Sequence, residues 1–381
     1  MSHDPVTQGF SQVEYQRRWD AVRAALPPAG LDALCVTAPL RLEWLSGADG
    51  SGMWPDPLIL APGQPVTLVV RRYEEDRVRT TGRVERIVSY FGEDDALDVW
   101  AETLREMGLD SARLGLELDC WGLAPRDVSE LQRRLPRLTV LDASRIAGDV
   151  MDVKSDEELA VMRAAAAYAD IGMQAFFGAL HAGALESDVA ATTLAAMRAA
   201  GSEPMPFGAT ILLGQNSAVP HGASGTTRLQ PGDVAFAEFG GVCHGYCAGL
   251  VRSAVLGNNP AAEALYAVAR RALEAGLGAI RPGATTGAVD AAVRGVVTAA
   301  GYAAAFRHRS GYAIGLGWQD RGNTSLKPGG STILRPGMTL HLPVNLFAQG
   351  EFCVGCSETV LVTSDGAEPL GRLPRDLVWV G

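Results

Sequence analysis

The chain has 381 residues, of which 47% are hydrophobic and 20% are charged, and its formal net charge is -10. This length predicts two domains or one large one, and no segment approaches the ~18 consecutive apolar residues of a membrane-spanning helix. No block of Lys and Arg offsets the negative charge, which argues against nucleic-acid binding because phosphate contacts need basic side chains. We therefore expect a globular protein that acts on a small molecule.

The first residues and the cysteines indicate the compartment. The segment MSHDPVTQGFSQVEYQRRW has neither the basic start nor the apolar core of a signal peptide, so we expect a cytoplasmic protein. Six cysteines in such a chain do not predict a disulfide framework. Cys243 and Cys247 could bind a structural zinc ion together with Cys353 and Cys356, but strand alternation separates the last two. Between zinc and buried free thiols, we favour the thiols.

Residues 1–150 alternate between helical and strand patterns. The segment VEYQRRWDAVRAAL has helical periodicity and stops at Pro27 and Pro28. LDALCVTA, PLILAP and PVTLVV then form short apolar segments bounded by Gly and Pro, which is typical of strands. A second alternation continues to LTVLDA. We predict a first domain over 1–150 with an α/β sandwich built on a mixed sheet.

A second domain is predicted over 155–381, and it contains an internal repeat. Ser155 and Glu158 form the capping-box pattern that starts a helix. The helical segment at 181–201 returns at 281–301, and the strand pair PGDVAFAEFG and LVRSAVLG returns as PGMTLHLPVN and CSETVLVT. Two such copies, related by a pseudo-twofold axis, would share one curved antiparallel sheet covered by helices on its outer face. We expect a cavity on the open side.

Polar side chains within these apolar strands and loops are candidates for function, because burying them is costly unless they are paired or used. The candidates are His221, Glu238, Tyr312, His341 and Glu358. Each has a structural alternative. The alternatives are an ion pair of Glu238 with Arg252, a surface position for His221, structural packing of His341 and Tyr312, and a solvent-facing edge position for Glu358.

Two segments resemble a dinuclear metallopeptidase site in the spacing of their residues. PHGASGTTRLQPGDVAFAEFGGVCHGYCAGLVRS and HRSGYAIGLG resemble the prolidase, aminopeptidase P and methionine aminopeptidase superfamily, the M24 peptidases. The pattern Asp-x-Gly-x4-Gly-Tyr-x2-Asp-x2-Arg of that superfamily is matched by its glycines, tyrosine and arginine. The resemblance implies a creatinase-like amino-terminal domain and a pita-bread catalytic domain. It also implies that His308 is an important residue.

The metal-ligating residues of this superfamily are missing from these two segments. The resemblance implies that its ligands Asp, Asp, His, Glu and Glu fall at Glu238, Gly249, Tyr312, Pro343 and Ser357. Glycine and proline have no ligating side chain, and the other three do not make a dinuclear site. We therefore expect no metal ion or other cofactor, and we do not expect prolidase or aminopeptidase activity.

The superfamily also includes metal-free hydrolases, and the chain is more similar to these. Creatinase is similar in plan, and ectoine hydrolase is more similar through RLEWLSGADG, KSDEE, SGYAIG, SLKPG, RPGMTLH and SETVLVT. The resemblance implies a metal-independent hydrolase that opens a C–N bond in a cyclic amidine such as ectoine or a guanidino acid such as creatine. Two alternatives remain open: a non-catalytic binding protein, and a biosynthetic enzyme that forms or isomerises a ring in the same pocket.

The candidates can be given roles in such a reaction. His221 would act as general base and then acid, because an imidazole that titrates near neutral pH suits both transfers. Glu238 would bind the cationic substrate or attack it, with Glu358 as the second carboxylate, while Tyr312 and His341 orient or protonate the leaving nitrogen.

The resemblance also implies a partner subunit. In the metal-free relatives, the amino-terminal domain of one subunit helps to close the site of the other, so a homodimer is expected. The matching segment here is GADGSGMWPDP, in which Trp54 offers a flat face for a cation or a planar ring. An ordinary packed tryptophan is the alternative.

Overall fold

The structure is a computed structural model that describes residues 3–48, 56–92, 96–318 and 324–381. These residues form two compact units, one within 10–151 and the other within 3–9, 152–318 and 324–381. None of the helices in these ranges is long and apolar enough to cross a membrane.

Helices and strands alternate along most of the chain. The helices are α1 (Pro5–Gln8), α2 (Gln12–Ala25), α3 (Pro39–Ser46), α4 (Glu75–Thr81), α5 (Ala96–Glu106), α6 (Pro125–Arg134), α7 (Ile146–Met151), α8 (Asp156–Ala179), α9 (Glu186–Ala199), α10 (Pro260–Ala279) and α11 (Thr286–Ala299). The first strands are β1 (Ala33–Val36), β2 (Leu58–Leu60), β3 (Thr67–Arg71), β4 (Arg86–Tyr90), β5 (Arg113–Leu116), β6 (Thr139–Asp142) and β7 (Thr210–Leu213). The remaining strands are β8 (Val234–Cys243), β9 (Tyr246–Leu256), β10 (Gly311–Ala313), β11 (Ser325–Leu326), β12 (Thr339–Ala348), β13 (Phe352–Val362), β14 (Ala367–Pro369) and β15 (Val378–Val380).

The amino-terminal unit is built on a mixed sheet in the order β4-β3-β2-β1-β5-β6. β1 pairs antiparallel with β2 and parallel with β5. Ala33 and Cys35 pack on one face against Trp100 of α5 and Leu131 of α6. The alternate residue Leu34, which is also fully buried, points to the opposite face. The predicted α/β sandwich with a mixed sheet is confirmed.

The carboxy-terminal unit repeats a helix-helix-hairpin arrangement. A capping box of Ser155 and Glu158 starts α8, and the helices α9 and α11 begin at Glu186 and Thr286. The hairpin β8–β9 in the first half corresponds to β12–β13 in the second. The predicted fold class, a pita-bread domain with two repeated halves, is confirmed.

The expected sheet is divided into two sheets, one from each half. Their orders are β15-β9-β8-β7 and β11-β10-β12-β13-β14. Side chains join them where β9 and β13 lie next to each other: the Val251 amide donates to Ser357 Oγ over 2.7 Å, and the Gly355 amide donates to Ser253 Oγ over 2.9 Å. Small hydroxyl side chains thus connect β9 and β13. Elsewhere the halves also share backbone bonds, such as that from the Cys247 amide to the Gly315 carbonyl over 2.8 Å.

Candidate active site

The alternation of side chains along each strand determines which of them point away from the apolar core. In β8, Ala237 and Phe239 belong to the apolar cluster that includes residues of α8, so Phe236 and Glu238 point to the opposite face. In β12, Leu342 and Val344 pack in the second apolar cluster with α10. The residues that alternate with them, His341, Pro343 and Asn345, lie on the same side of the unit as Glu238. Both halves therefore supply polar side chains to one open face.

Two cavities lie on this face. The first has a volume of about 390 Å³, and its lining includes His221, Glu238 and Tyr312. The second has a volume of about 470 Å³ and shares His221 and Glu238 with the first. The structure thus brings three of the predicted site residues together, with Glu238 at the junction of the cavities.

Within the described residues, Glu238 has no cationic partner. Its Oε2 accepts a hydrogen bond of 3.1 Å from Asn345 Nδ2. Burial raises its pKa from 4.5 to about 7, and the Asn345 bond offsets only part of this effect. A carboxyl group with this pKa exists in both protonation states at neutral pH, which suits acid-base catalysis. The alternative of an ion pair with Arg252 is not what the structure shows.

His221 lies in a loop that a buried carboxylate holds in place. The loop follows β7, and His221 has a φ of 54°, which is uncommon for a residue other than glycine. The side chain of Glu186 accepts hydrogen bonds from the Leu213 amide at 2.6 Å, the Gly225 amide at 2.5 Å and Asn216 Nδ2 at 2.8 Å. These bonds fix both ends of the loop, and the exposed imidazole of His221 stays at the cavity.

Tyr312 and His341 form a hydrogen-bonded chain with Trp318 and Ser357. Trp318 Nε1 donates to Tyr312 Oη over 2.7 Å. A bond of 3.2 Å joins Tyr312 Oη and His341 Nδ1, and one of 2.9 Å joins His341 Nε2 and Ser357 Oγ. His341 is fully buried and does not line either cavity. Burial lowers its pKa to about 3, so its ring is neutral at physiological pH.

Trp318 occupies the space that a second ligand side chain would need. Gly240 and Gly249 face each other across β8 and β9. A Cβ atom added at Gly249 would lie 2.6 Å from the Trp318 ring and 2.8 Å from the His341 ring, and one at Gly240 would lie 2.5 Å from Trp318. The indole therefore packs against two glycines whose missing side chains leave room for it.

This arrangement does not fit the dinuclear metal centre that the superfamily implies. Two of the five ligand positions are Gly249 and Pro343, and the oxygen atoms of Tyr312 and Ser357 are bonded within the chain of Trp318 and His341. Glu238 is the only carboxylate among the five positions. Across the described ranges, no cluster of three or more His, Cys, Asp and Glu residues could hold a metal ion.

The four cysteines weighed for zinc binding do not converge. Cys353 lines the first cavity, whereas Cys356 packs in the apolar cluster beneath the sheet. Cys243 and Cys247 are buried, as are the other two. Burial raises the pKa of the Cys353 thiol well above its ordinary value, so this group is protonated.

Glu358 points to the helix-covered face of its own sheet, whereas Glu238 points to the open face of the other sheet. In β13, its neighbours on the same face, Cys356 and Val360, pack in the apolar cluster. Glu358 Oε1 accepts hydrogen bonds from Arg252 at 2.8 Å and from Arg375 at 2.9 Å. The carboxylate is 2% exposed, so the solvent-facing alternative does not apply. The structure does not bring Glu358 to the cavities.

Trp54, the predicted substrate-binding residue, lies outside the described residues. The first cavity is lined by further polar residues besides the predicted ones. The lining also contains three consecutive residues before β10, Arg307, His308 and Arg309, together with Asn345. Burial lowers the pKa of His308, whose Nδ1 bonds the Arg309 carbonyl at 2.7 Å. The resemblance already pointed to His308. The basic run RHR at 307–309 and the polar Asn within β12 were the signals for Arg307, Arg309 and Asn345.

Comparison with known proteins identifies the class. The model of metallopeptidase family M24 matches residues 160–364, and that of the creatinase/prolidase amino-terminal domain matches residues 18–150. The chain therefore belongs to metallopeptidase family M24.

Relatives and solved structures cover nearly the whole chain. It is 29% identical to the uncharacterized hydrolase/peptidase y4tL of Sinorhizobium fredii, with 98% of this chain and 99% of that protein covered. It is 24% identical to the Xaa-Pro dipeptidase of Pyrococcus horikoshii, covering 91% and 95%. The crystal structure of dipeptidase PepE from Mycobacterium ulcerans matches with a TM-score of 0.87 and 27% identity, covering 97% and 99%.

These findings correct one expectation from the sequence. We expected a hydrolase that acts on C–N bonds other than peptide bonds, as in ectoine or creatine. The relatives are named as peptidases, including dipeptidases of the Xaa-Pro class, and the matching family is a peptidase family. That expectation is therefore wrong, and so is the ranking of Xaa-Pro peptide hydrolysis below it, which rested on the lost metal ligands.

Proposed function

We propose that this protein hydrolyses the peptide bond of a dipeptide of the Xaa-Pro class, and that Glu238 and His221 perform the proton transfers without a metal ion. The peptidase family and the names of the relatives support the bond type. One observation supports the proposal: Glu238, with a pKa of about 7, lies where two cavities meet and forms no ion pair with any of the described residues.

The reaction needs a base for water and an acid for the leaving nitrogen. The ionised carboxylate of Glu238 removes a proton from a water molecule, and the oxygen of that water bonds to the carbonyl carbon of the peptide. The protonated imidazole of His221 then donates a proton to the nitrogen as the C–N bond breaks. The pKa of about 7 at Glu238 suits the removal of a proton from water near neutral pH.

The charge of the first cavity supports a substrate with a free carboxylate. Arg307 and Arg309 both line this cavity, whereas Glu238 is the only acidic residue among the described residues of its lining. The guanidinium of Arg307 lies 5.4 Å from the centre of the Phe347 ring, at the exposed edge of the cavity. Arginine binds carboxylates through paired hydrogen bonds. The carboxyl end of a dipeptide therefore fits this side of Glu238.

The test is turnover of Xaa-Pro dipeptides by purified protein, before and after dialysis against EDTA. We expect Glu238→Gln and His221→Ala to lower kcat by about 10² to 10⁴, the usual contribution of a general acid or base. Dipeptides with an amidated carboxyl end should bind less well than the free acids. His181→Ala, at an exposed histidine of the same unit, is the matched control and should retain full activity.

Three results would contradict the proposal. Turnover that EDTA abolishes and Mn²⁺ restores would show a metal-dependent peptidase. Full activity in both variants would remove Glu238 and His221 from the mechanism. No turnover of any Xaa-Pro peptide, with circular dichroism showing folded protein, would reject peptide hydrolysis.

Two finer proposals accompany this one. Membership of a metal-free branch of family M24 is supported by the ligand positions at Gly249 and Pro343, and metal analysis of the purified protein tests it. Closeness to ectoine hydrolase-like proteins stays a prediction. The homodimer also stays a proposal, which light scattering tests, and with it the role of Trp54.

A further inference from the structure

We propose that the second cavity selects an apolar side chain on the amino side of the cleaved bond, and that Phe207 is the residue that determines this specificity. The inference rests on the proposed function, because it assumes a peptide lying across Glu238. It concerns the side of the site that the mechanism above does not use.

The two cavities differ in charge on either side of Glu238. The second cavity includes Met205, Phe207 and Trp318 in its lining. Of the described residues that line it, only Glu238 and His221 are titratable. No arginine or lysine lines it within the described residues, in contrast to the first cavity. A peptide whose carboxylate lies toward Arg307 must place its amino-side residue in this apolar cavity.

Phe207 is an exposed aromatic side chain at this cavity. Its side chain is 63% exposed, although large apolar surface is favourably removed from water. The loop that carries it is fixed nearby, because the Gly240 amide donates a hydrogen bond of 3.0 Å to Met205 Sδ. Trp318 packs against Gly240 and Gly249 on the other side of the cavity. A ligand side chain between Phe207 and Trp318 would cover the exposed ring.

The cavity is larger than a small side chain needs. Its volume of about 470 Å³ leaves space for leucine or phenylalanine. Each additional CH₂ group buried there contributes about 0.8 kcal/mol, which is roughly fourfold in affinity. Leu-Pro should therefore bind tighter than Gly-Pro by on the order of tenfold or more, since small differences in apolar side chains give ratios of about 10 to 200.

The experiment measures binding by calorimetry on the slow variant Glu238→Gln, so that little peptide is cleaved during a titration and selectivity is read as affinity. Gly-Pro, Ala-Pro, Leu-Pro and Phe-Pro are compared in this background and after adding Phe207→Ala. We expect Phe207→Ala to reduce the Leu-Pro to Gly-Pro affinity ratio by about fivefold, the effect of losing roughly 1 kcal/mol of apolar contact. Gly-Pro binding should change little.

Phe91→Ala is the matched control, because Phe91 is 82% exposed and lies in the amino-terminal unit. It should leave all four affinities unchanged. An unchanged Leu-Pro to Gly-Pro ratio in Phe207→Ala, or equal loss for all four peptides, would overturn the inference. Selective binding that depends on Phe207 without turnover by the wild type would reject peptide hydrolysis but retain the apolar subsite.

Discussion

Glu238 and Glu358 occupy related hairpins of the two repeated halves, yet the fold gives them opposite environments. Glu238 has one hydrogen bond from Asn345 and borders two cavities. Glu358 is bonded to Arg252 and Arg375 beneath the sheet and borders neither cavity. A carboxylate with paired cations keeps its charge and stabilises the fold, whereas one buried without a cation has a raised pKa and becomes available for proton transfer.

The comparison separates structural from chemical use of the same residue type. Arg252, which is 1% exposed, also donates to the carbonyls of Ser357 and Pro374, so the ion pair connects β9, β13 and the segment before β15. No comparable anchor exists around Glu238 in the described part of the chain. Perturbed carboxylates that border a cavity are candidates for function, and fully paired ones are candidates for stability.

The largest expected effect is the loss of the buried ion pair. Glu358→Ala should lower the free energy of unfolding by about 3–5 kcal/mol, because it leaves two guanidinium groups without their anion. Urea denaturation monitored by circular dichroism measures this. Glu368→Ala, which removes an exposed ion pair with Arg163, is the control and should cost no more than about 1 kcal/mol. Similar losses in both variants would end the distinction between the two carboxylates.

Glu238 should make stability depend on pH with a definite sign. Its folded pKa of about 7 exceeds the ordinary 4.5, so the folded state binds more protons than the unfolded state between these values. The free energy of unfolding should therefore fall as pH rises from 4.5 to 7, by at most about 1.4 kcal/mol for each unit of the pKa difference.

Glu238→Gln removes this titration, so its stability relative to the wild type should increase through the same pH range and then stay constant. Urea denaturation at pH steps from 4.5 to 8 measures the difference. Parallel curves for the variant and the wild type would show that the carboxyl group is not perturbed. In that case Glu238, like Glu358, would have a structural role.

The smallest expected effects compare glycines of the two halves. Gly249→Ala should destabilise the protein by about 1–3 kcal/mol, because the new Cβ would overlap Trp318 and His341. Gly278→Ala in α10 meets no atom within 4 Å and should stabilise the protein by up to about 1 kcal/mol through helix propensity. Thermal denaturation measures both changes. Tolerance of Gly249→Ala would show that Trp318 does not fill this space.

Much of the fold could be predicted from the sequence because it rests on local and periodic signals. The capping box at Ser155 and Glu158 predicted the start of α8, and the repeat at 181–201 and 281–301 predicted the two halves of the carboxy-terminal unit. The alternation within the strands also placed Ser357 and Glu358 on opposite faces. The expectation that Glu358 reaches the cavity overlooked this consequence of strand geometry.

The sequence by itself determined the fold class. It also determined that the ligand positions Gly249 and Pro343 have no ligating side chain, and that His221 and Glu238 belong to the segment that resembles the superfamily. Only the tertiary structure decided that Arg252 pairs with Glu358 and that Glu238 has no cationic partner in the described ranges. It also decided that Trp318 fills the space above the two glycines. Pairing and pKa depend on distances between residues far apart in the chain, and burial is set by all of the surrounding elements. Neither is encoded in local sequence patterns.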